Sequence, residues 1–181
     1  MAQEPTPLSD VDLEQSDSPC PSAEPARVEV IQGTIARDEI DLAAFTGYLH
    51  SAIAATGRWV RRLAVRIVDD AEMTRLHRLY KQEEGPTDVL TFAQSERDDP
   101  IDADIAVNFD EARRRGKEFG HGVDRELLLY ALHGILHCCG YDDHDAASFA
   151  AMHAEEDRVL TAIGMGPLFR AGGAASEGEA E

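Results

Sequence analysis

Apolar positions along the chain fall into two periods. Val28-Glu-Val-Ile-Gln, Leu63-Ala-Val-Arg-Ile-Val within Trp59 to Val68, Thr87-Asp-Val-Leu-Thr-Phe and Asp104-Ile-Ala-Val-Asn are short and rich in β-branched residues, and predict four strands. Leu42 to Ala55, Asp69 to about Tyr80, Phe109 to Glu118, Asp124 to Cys139 and Asp145 to Ile163 carry apolar residues at helical spacing and predict five helices. The punctuation agrees. Asp38 or Asp41 stands ready to cap the first helix, and Asp69-Asp-Ala-Glu opens the second as a capping box. Gly85-Pro86 breaks the chain after it, Gly120 ends the third helix, and Asp124 is placed to cap the fourth. Gly164 and Gly166 stop the last. Strands and helices interleaved in this way predict a single α+β domain, a mixed four-stranded sheet packed with about five helices.

Residues 1–26 are rich in Pro, Ser, Glu and Asp and show no period, and the chain ends Gly-Gly-Ala-Ala-Ser-Glu-Gly-Glu-Ala-Glu. The predicted organisation is a disordered acidic tail over 1–26, a body over 27–167 and a second disordered tail over 168–181. The net charge of −18 is carried in part by these tails, but the body is acidic too. An acidic body binds nucleic acid poorly through bulk charge, so an RNA partner needs a local basic patch or a metal ion. Three cysteines, two of them adjacent, form no spaced disulfide framework and fit a reducing compartment. The N-terminus lacks a basic start and an apolar core, and no run reaches membrane-span length, so a cytoplasmic protein without a membrane partner is expected.

Three of the chain's seven histidines lie between His133 and His144. On a helical wheel His137 falls about 40° from His133 and one turn along, so both rings leave one face, while Leu127, Leu128, Ala131, Leu132 and Ile135 centre on the opposite side. Imidazoles four residues apart on one face can grip a single metal ion. Gly140 permits a left-handed turn that brings His144 back as a third ligand, which leaves a fourth position open, as in catalytic zinc sites. The layout resembles the long zinc motif of metzincin proteases, but Gly134 stands where their general base, a Glu, would be. Cys138 and Cys139 fall about 140° and 240° from His133 and read as core thiols. Asp142 and Asp143 suit two roles equally, orienting a histidine or shaping the turn. His153 reads as a surface residue, and Glu126 as a carboxylate suited to a helix first turn.

His133-Gly-Ile-Leu-His-Cys-Cys-Gly-Tyr-Asp-Asp-His resembles the signature of the YbeY family of metal-dependent endoribonucleases, H-G-x-L-H-L-x-G-Y-D-H. Leu79 to Phe92 is similar to that family's Y-R-x-x-x-x-P-T-[DN]-V-L-S-F, Asp104-Ile-Ala-Val to its G-D-I-x-I strand, and Met152 to Leu160 to its final helix. The likeness runs from about Val28 to Gly166. It implies an α+β fold with a metal at the end of a cleft, one Zn²⁺ held by His133, His137 and His144, and cleavage of single-stranded ribosomal RNA in maturation of the 16S 3′ end and small-subunit quality control. Implied partners are ribosomal RNA and the small subunit, with a small-subunit ribosomal protein or an assembly GTPase. This sequence departs from the pattern in three ways. His144 lies eleven residues after His133 instead of ten, Lys81 replaces the Arg that follows the family's Tyr, and Ala93 replaces the Pro of S-F-P. Lys81 is then the expected phosphate contact, with a point charge in place of a planar fork. Arg61, Arg62, Arg66, Arg75 and Arg78 lead into it and are expected to add phosphate contacts, whereas Arg113, Arg114, Arg115 and Lys117 read as a solvated face. No aromatic stacking platform is evident. The alternatives are a ribosome-assembly factor that binds but barely cleaves, its metal holding the fold, and, disfavoured by Gly134, a metalloprotease-like hydrolase.

Overall fold

The computed structural model of the chain describes residues 26–33 and 39–169. Most of both predicted tails, and Asp38, lie outside the described residues. Nine elements follow in order: β1 (Arg27–Gln32), α1 (Leu42–Thr56), β2 (Val60–Val68), α2 (Asp70–Lys81), β3 (Val89–Ala93), β4 (Ile101–Asn108), α3 (Phe109–Phe119), α4 (Val123–Cys138) and α5 (Ala146–Ala162). The sheet order is β1-β2-β4-β3, with β1, β2 and β4 parallel and β3 antiparallel to β4. The fold is the predicted single α+β domain with a mixed four-stranded sheet and five helices.

The period of two along the strands sorts the sheet into two faces. Leu63, Val65 and Ile67 of β2 and Ile101, Ala103, Ile105 and Val107 of β4 join Phe45, Leu49, Leu128, Leu132 and Ile135 in one large core under α1, α4 and α5. On the other face Val68, Leu90 and Ala106 meet Met73 and Leu76 of α2 in a smaller cluster. Beyond the reach of α2 that face turns polar. Arg62 spans Asp102 and Asp104 with bonds of 2.8–2.9 Å, and Gln94 donates to Asp104 at 2.6 Å. Register explains the fork, since Arg62 lies directly across from Asp102 and Ala64 across from Asp104. The same alternation starts β4 at Ile101, three residues before the predicted Asp104.

Local chemistry fixes most helix ends as expected. Asp41 caps α1, Asp69 caps α2, and Asp145 forms a full capping box with Ser148 at α5. α4 differs: its N-cap is Gly122, with no side-chain cap, and Asp124 sits inside the first turn. Its middle packs hard on the sheet. A Cβ on Gly134 would lie 2.5 Å from Thr91 Oγ1 and 2.9 Å from Ile105 Cδ1. The position facing β3 and β4 therefore takes no side chain, and a Glu here would enter the core and not the solvent. Gly134→Ala is expected to destabilise the protein by about 1–3 kcal/mol through overpacking, measured as a lower denaturant midpoint. Among the described residues no helix is long and apolar enough to cross a membrane.

Candidate metal centre and cleft

The helix wheel places two imidazoles on one face of α4, and the structure turns them toward one point. His133 Nε2 and His137 Nε2 are 3.0 Å apart. The end of α4 makes this possible. Gly140 adopts φ +90°, and the Tyr141 amide returns to the Leu136 carbonyl at 3.0 Å, closing the turn. The Tyr141 carbonyl then lies 3.1 Å from His137 Nδ1. Behind His133, Glu156 of α5 sets Oε1 2.7 Å from Nδ1, while its other oxygen is 2.6 Å from His153 Nδ1. Glu156 is 1% exposed, so one buried carboxylate serves two rings.

These partners assign protons. A carbonyl oxygen only accepts, so His137 carries its proton on Nδ1, and the carboxylate likewise takes the Nδ1–H of His133. That leaves the two Nε2 atoms facing each other at 3.0 Å. Asp143 joins them, with Oδ2 3.6 Å from His133 Nε2. Three electron-rich donors aimed at one point repel unless a cation stands among them, and two imidazoles with a carboxylate are a donor set suited to zinc. The residues fit the group that the family likeness implies. Burial works against charging His133, but the bond and charge of Glu156, aided by Asp143 and Asp88, outweigh it and hold its pKa above the ordinary imidazole value.

His144, expected as the third ligand, lies elsewhere. His133, His137 and Asp143 form one donor cluster; Asp142, Asp143 and His144 form a second, exposed one. The His144 side chain is 85% exposed, and its nitrogens sit 3.4 Å from Asp142 and 3.7 Å from Asp143. Asp142 Oδ1 accepts the Asp143 amide at 2.8 Å, so the two aspartates divide the roles between them. Cys138 is buried and its thiol is pushed up to about 11 by burial; neither it nor Cys139 belongs to a donor cluster among the described residues.

The centre opens on a cleft of about 1070 Å³. One wall carries Glu156, His153, Phe149 and Phe169. Leu168 and Phe169, expected in the tail, are held against α5 by backbone N–H hydrogen bonds of 2.6 and 3.0 Å to Asp157 Oδ1, and Phe169 stacks on His153 at 3.7 Å. His153 is thus part of the wall and not the surface residue its position suggests. The lining also includes Phe119, His121, Glu126, Tyr130, Arg115 and Arg125, the last bonded to the Gly166 and Pro167 carbonyls at 3.0 and 3.1 Å. Glu126 is 4% exposed and pairs with His121 at 3.1 Å. Burial pushes its pKa up, against the Tyr130 hydroxyl and the charges of His121 and Arg115. Lys81 ends α2 exposed, outside the cleft lining. The basic residues sort differently from their spacing: Arg62 and Arg75 pair with carboxylates away from the cleft lining, while Arg115 of the second run lines the cleft and pairs there with Glu111 at 3.3 Å and Glu118 at 3.1 Å. Phe119 and Phe149, 61% and 50% exposed, supply aromatic faces at the cleft that composition does not reveal.

The family model for Endoribonuclease YbeY matches residues 34–164. The chain belongs to the Endoribonuclease YbeY family. It is 36% identical over 136 residues to the Endoribonuclease YbeY of Moorella thermoacetica, covering 68% of this chain and 87% of that one. It is 34% identical over 142 residues to that of Desulfitobacterium hafniense, covering 70% and 90%. The solution structure of TM1509 from Thermotoga maritima superposes with a TM-score of 0.51 at 24% identity, over 74% of this chain and 89% of that one, a likeness of fold. Within the YbeY family signature of this chain, the clearest missed signal is Glu156. It interrupts the buried stripe Met152, Val159, Leu160, and a carboxylate on an apolar stripe implies a buried partner.

Proposed function

We propose that this YbeY family member is a zinc-dependent endoribonuclease that cuts single-stranded ribosomal RNA in the cytoplasm, in maturation of the 16S 3′ end and small-subunit quality control. The observation that carries the reading is the convergence of His133, His137 and Asp143 beside a cleft of about 1070 Å³ that His133 and Asp143 line. A zinc ion held by these residues supplies Lewis-acid polarisation of a phosphoryl oxygen and an acidified water as nucleophile. Glu156 and the Tyr141 carbonyl hold the two Nδ1 protons and so keep both Nε2 atoms free as donors. Arg115, paired with Glu111 and Glu118, and Arg125, bonded to the Gly166 and Pro167 carbonyls, also line the cleft. Lys81 has no ion pair among the described residues and stands five residues ahead of Pro86 in the cleft wall, where it steadies a phosphate entering from that side. Protein partners on the small subunit, a ribosomal protein or an assembly GTPase, follow from the same reading.

A second reading has its own support. Asp88, Glu111, Glu126, Asp143 and Glu156 make the cleft lining rich in carboxylates, which favours a factor that binds RNA weakly and barely cleaves. Protease chemistry has no base in the position next to His133, because Gly134 faces the sheet. Chelator-stripped protein reloaded with Zn²⁺ is expected to recover cleavage of a small-subunit ribosomal RNA fragment, and Lys81→Ala to slow it more than about tenfold with metal content unchanged. Binding without cleavage in either state leaves the assembly-factor reading. Cleavage indifferent to Lys81→Ala moves the phosphate contact to Arg115 or Arg125.

A further inference from the structure

The end of the cleft away from the metal donors holds a second set of polar groups that metal chemistry does not use. Glu126 lies seven residues before His133 on α4, two turns or about 10 Å along the axis, on the same helix face. Its carboxylate is buried in the cleft wall, and an ionised carboxylate offers about four acceptor positions. His121 Nε2, 3.1 Å from Oε1, takes one of them and the Tyr130 hydroxyl a second, which leaves two for a ligand. Phe119 stands at the mouth of this end, its ring nearly parallel to that of His121 at 6.2 Å and with the Arg115 guanidinium 5.6 Å from its centroid. It is the most exposed large apolar side chain among the described residues. An exposed aromatic face beside a buried acceptor matches what a nucleobase needs, a surface to stack on and a polar partner for the pairing edge; Arg115, held by Glu111 and Glu118, backs the ring.

We propose that Phe119, His121 and Glu126 form a guanine-selective base subsite for the nucleotide that adjoins the scissile phosphate. The inference rests on the RNA-cleaving reading of the neighbouring metal centre and extends it to sequence preference. The base is fixed by acceptor chemistry. A carboxylate accepts two parallel hydrogen bonds, and only guanine carries two adjacent donors on its pairing edge, N1–H and the N2 amino group. Adenine and cytosine place a ring-nitrogen acceptor beside their amino group, and uracil flanks its one donor with two carbonyls. Each of these sets a lone pair against the Glu126 oxygens. His121 holds the carboxylate in place from the side.

The test uses the full, zinc-loaded chain and a set of single-stranded RNAs that differ only in the base beside the cut. Wild-type protein is expected to cleave the guanine member at least about tenfold faster than the others, the discrimination typical of a bidentate base contact. Glu126→Gln is expected to collapse that ratio to about threefold or less, because a carboxamide replaces one acceptor with a donor. The ratio between substrates is insensitive to a partial loss of folded protein. Phe119→Ala is expected to raise KM for every member with the ratio kept, and Phe119→Trp to restore it. Calorimetry with GMP and AMP separates this subsite from the cleavage reading. GMP bound more tightly than AMP, with the difference lost in Glu126→Gln, upholds the subsite even where no RNA is cut, and the cleavage reading then falls alone. Equal binding of GMP and AMP, or a guanine preference that survives Glu126→Gln, overturns the subsite.

Discussion

Asp143→Ala is expected to empty the metal centre, whereas His144→Ala leaves it loaded. The reason is geometric. The turn after α4 starts from a fixed point, the Gly140 reversal and the Tyr141 amide bond to Leu136. The residue ten positions after His133 arrives beside the imidazole pair, and in this chain that residue is Asp143. The family signature carries its third histidine at that same distance, so the additional aspartate displaces the histidine outward. His144 is left 85% exposed, with only the neighbouring aspartates for company. Two imidazoles and one carboxylate remain a sound zinc set, with a harder and negatively charged third donor. Elemental analysis of protein purified without added metal is expected to give about one zinc per chain for wild type and His144→Ala, and at least about tenfold less for Asp143→Ala and His133→Ala. Zinc lost in His144→Ala but kept in Asp143→Ala would show that the turn rearranges around the ion and that the family ligand set holds after all.

Glu156→Ala is expected to damage both the centre and the fold. The carboxylate is buried between two imidazoles, 2.7 Å from His133 and 2.6 Å from His153. Its removal leaves both Nδ1–H groups without their carboxylate acceptor in the cleft wall, a loss of about 1–3 kcal/mol for each. For a body of this size that lowers the melting temperature by roughly 10 °C. Zinc affinity is expected to fall about 10–100-fold, because the proton position on His133 is no longer enforced. Glu156→Gln separates charge from shape. The sign of the pH effect in metal-free protein follows from the raised pKa of His133. A raised folded-state pKa contributes stability that is fully present below the unfolded value of about 6.5 and is lost as pH rises through the folded value. Stripped wild-type protein should therefore lose melting temperature on going from mildly acidic to alkaline pH, and Glu156→Gln should flatten that slope. An unchanged slope would mean that Asp143 and Asp88, not Glu156, set the charge of His133.

The parts of the molecule that repeat with a period were legible in the sequence. Helix spacing located the five helices of the described residues, and a wheel alone put His133 and His137 on one face and the leucines on the other. The missed features depend on chain contacts that carry no period. A turn absorbs or expels a residue without any trace in hydrophobicity, so Asp143 and His144 could not be told apart by spacing. Spacing marks Arg62 as a phosphate contact and Arg115 as part of a solvated face; strand register shows that Asp102 and Asp104 claim the first, and the packing of α3 beside α4 brings the second, paired with Glu111 and Glu118, to the cleft. Glu156 was visible in principle, as a charge in the wrong place on an amphipathic helix.

The bond from His133 to Glu156 also sets a timetable. During synthesis α4 emerges before α5, and at about 5–20 residues per second the interval between them is a matter of seconds. Until Glu156 has emerged and α5 has docked, nothing fixes the proton of His133, and Asp143 belongs to an unanchored loop. The two-histidine face exists earlier, but as a weak and unoriented donor pair. A nascent chain therefore lacks a finished centre until α5 has emerged and docked on α4.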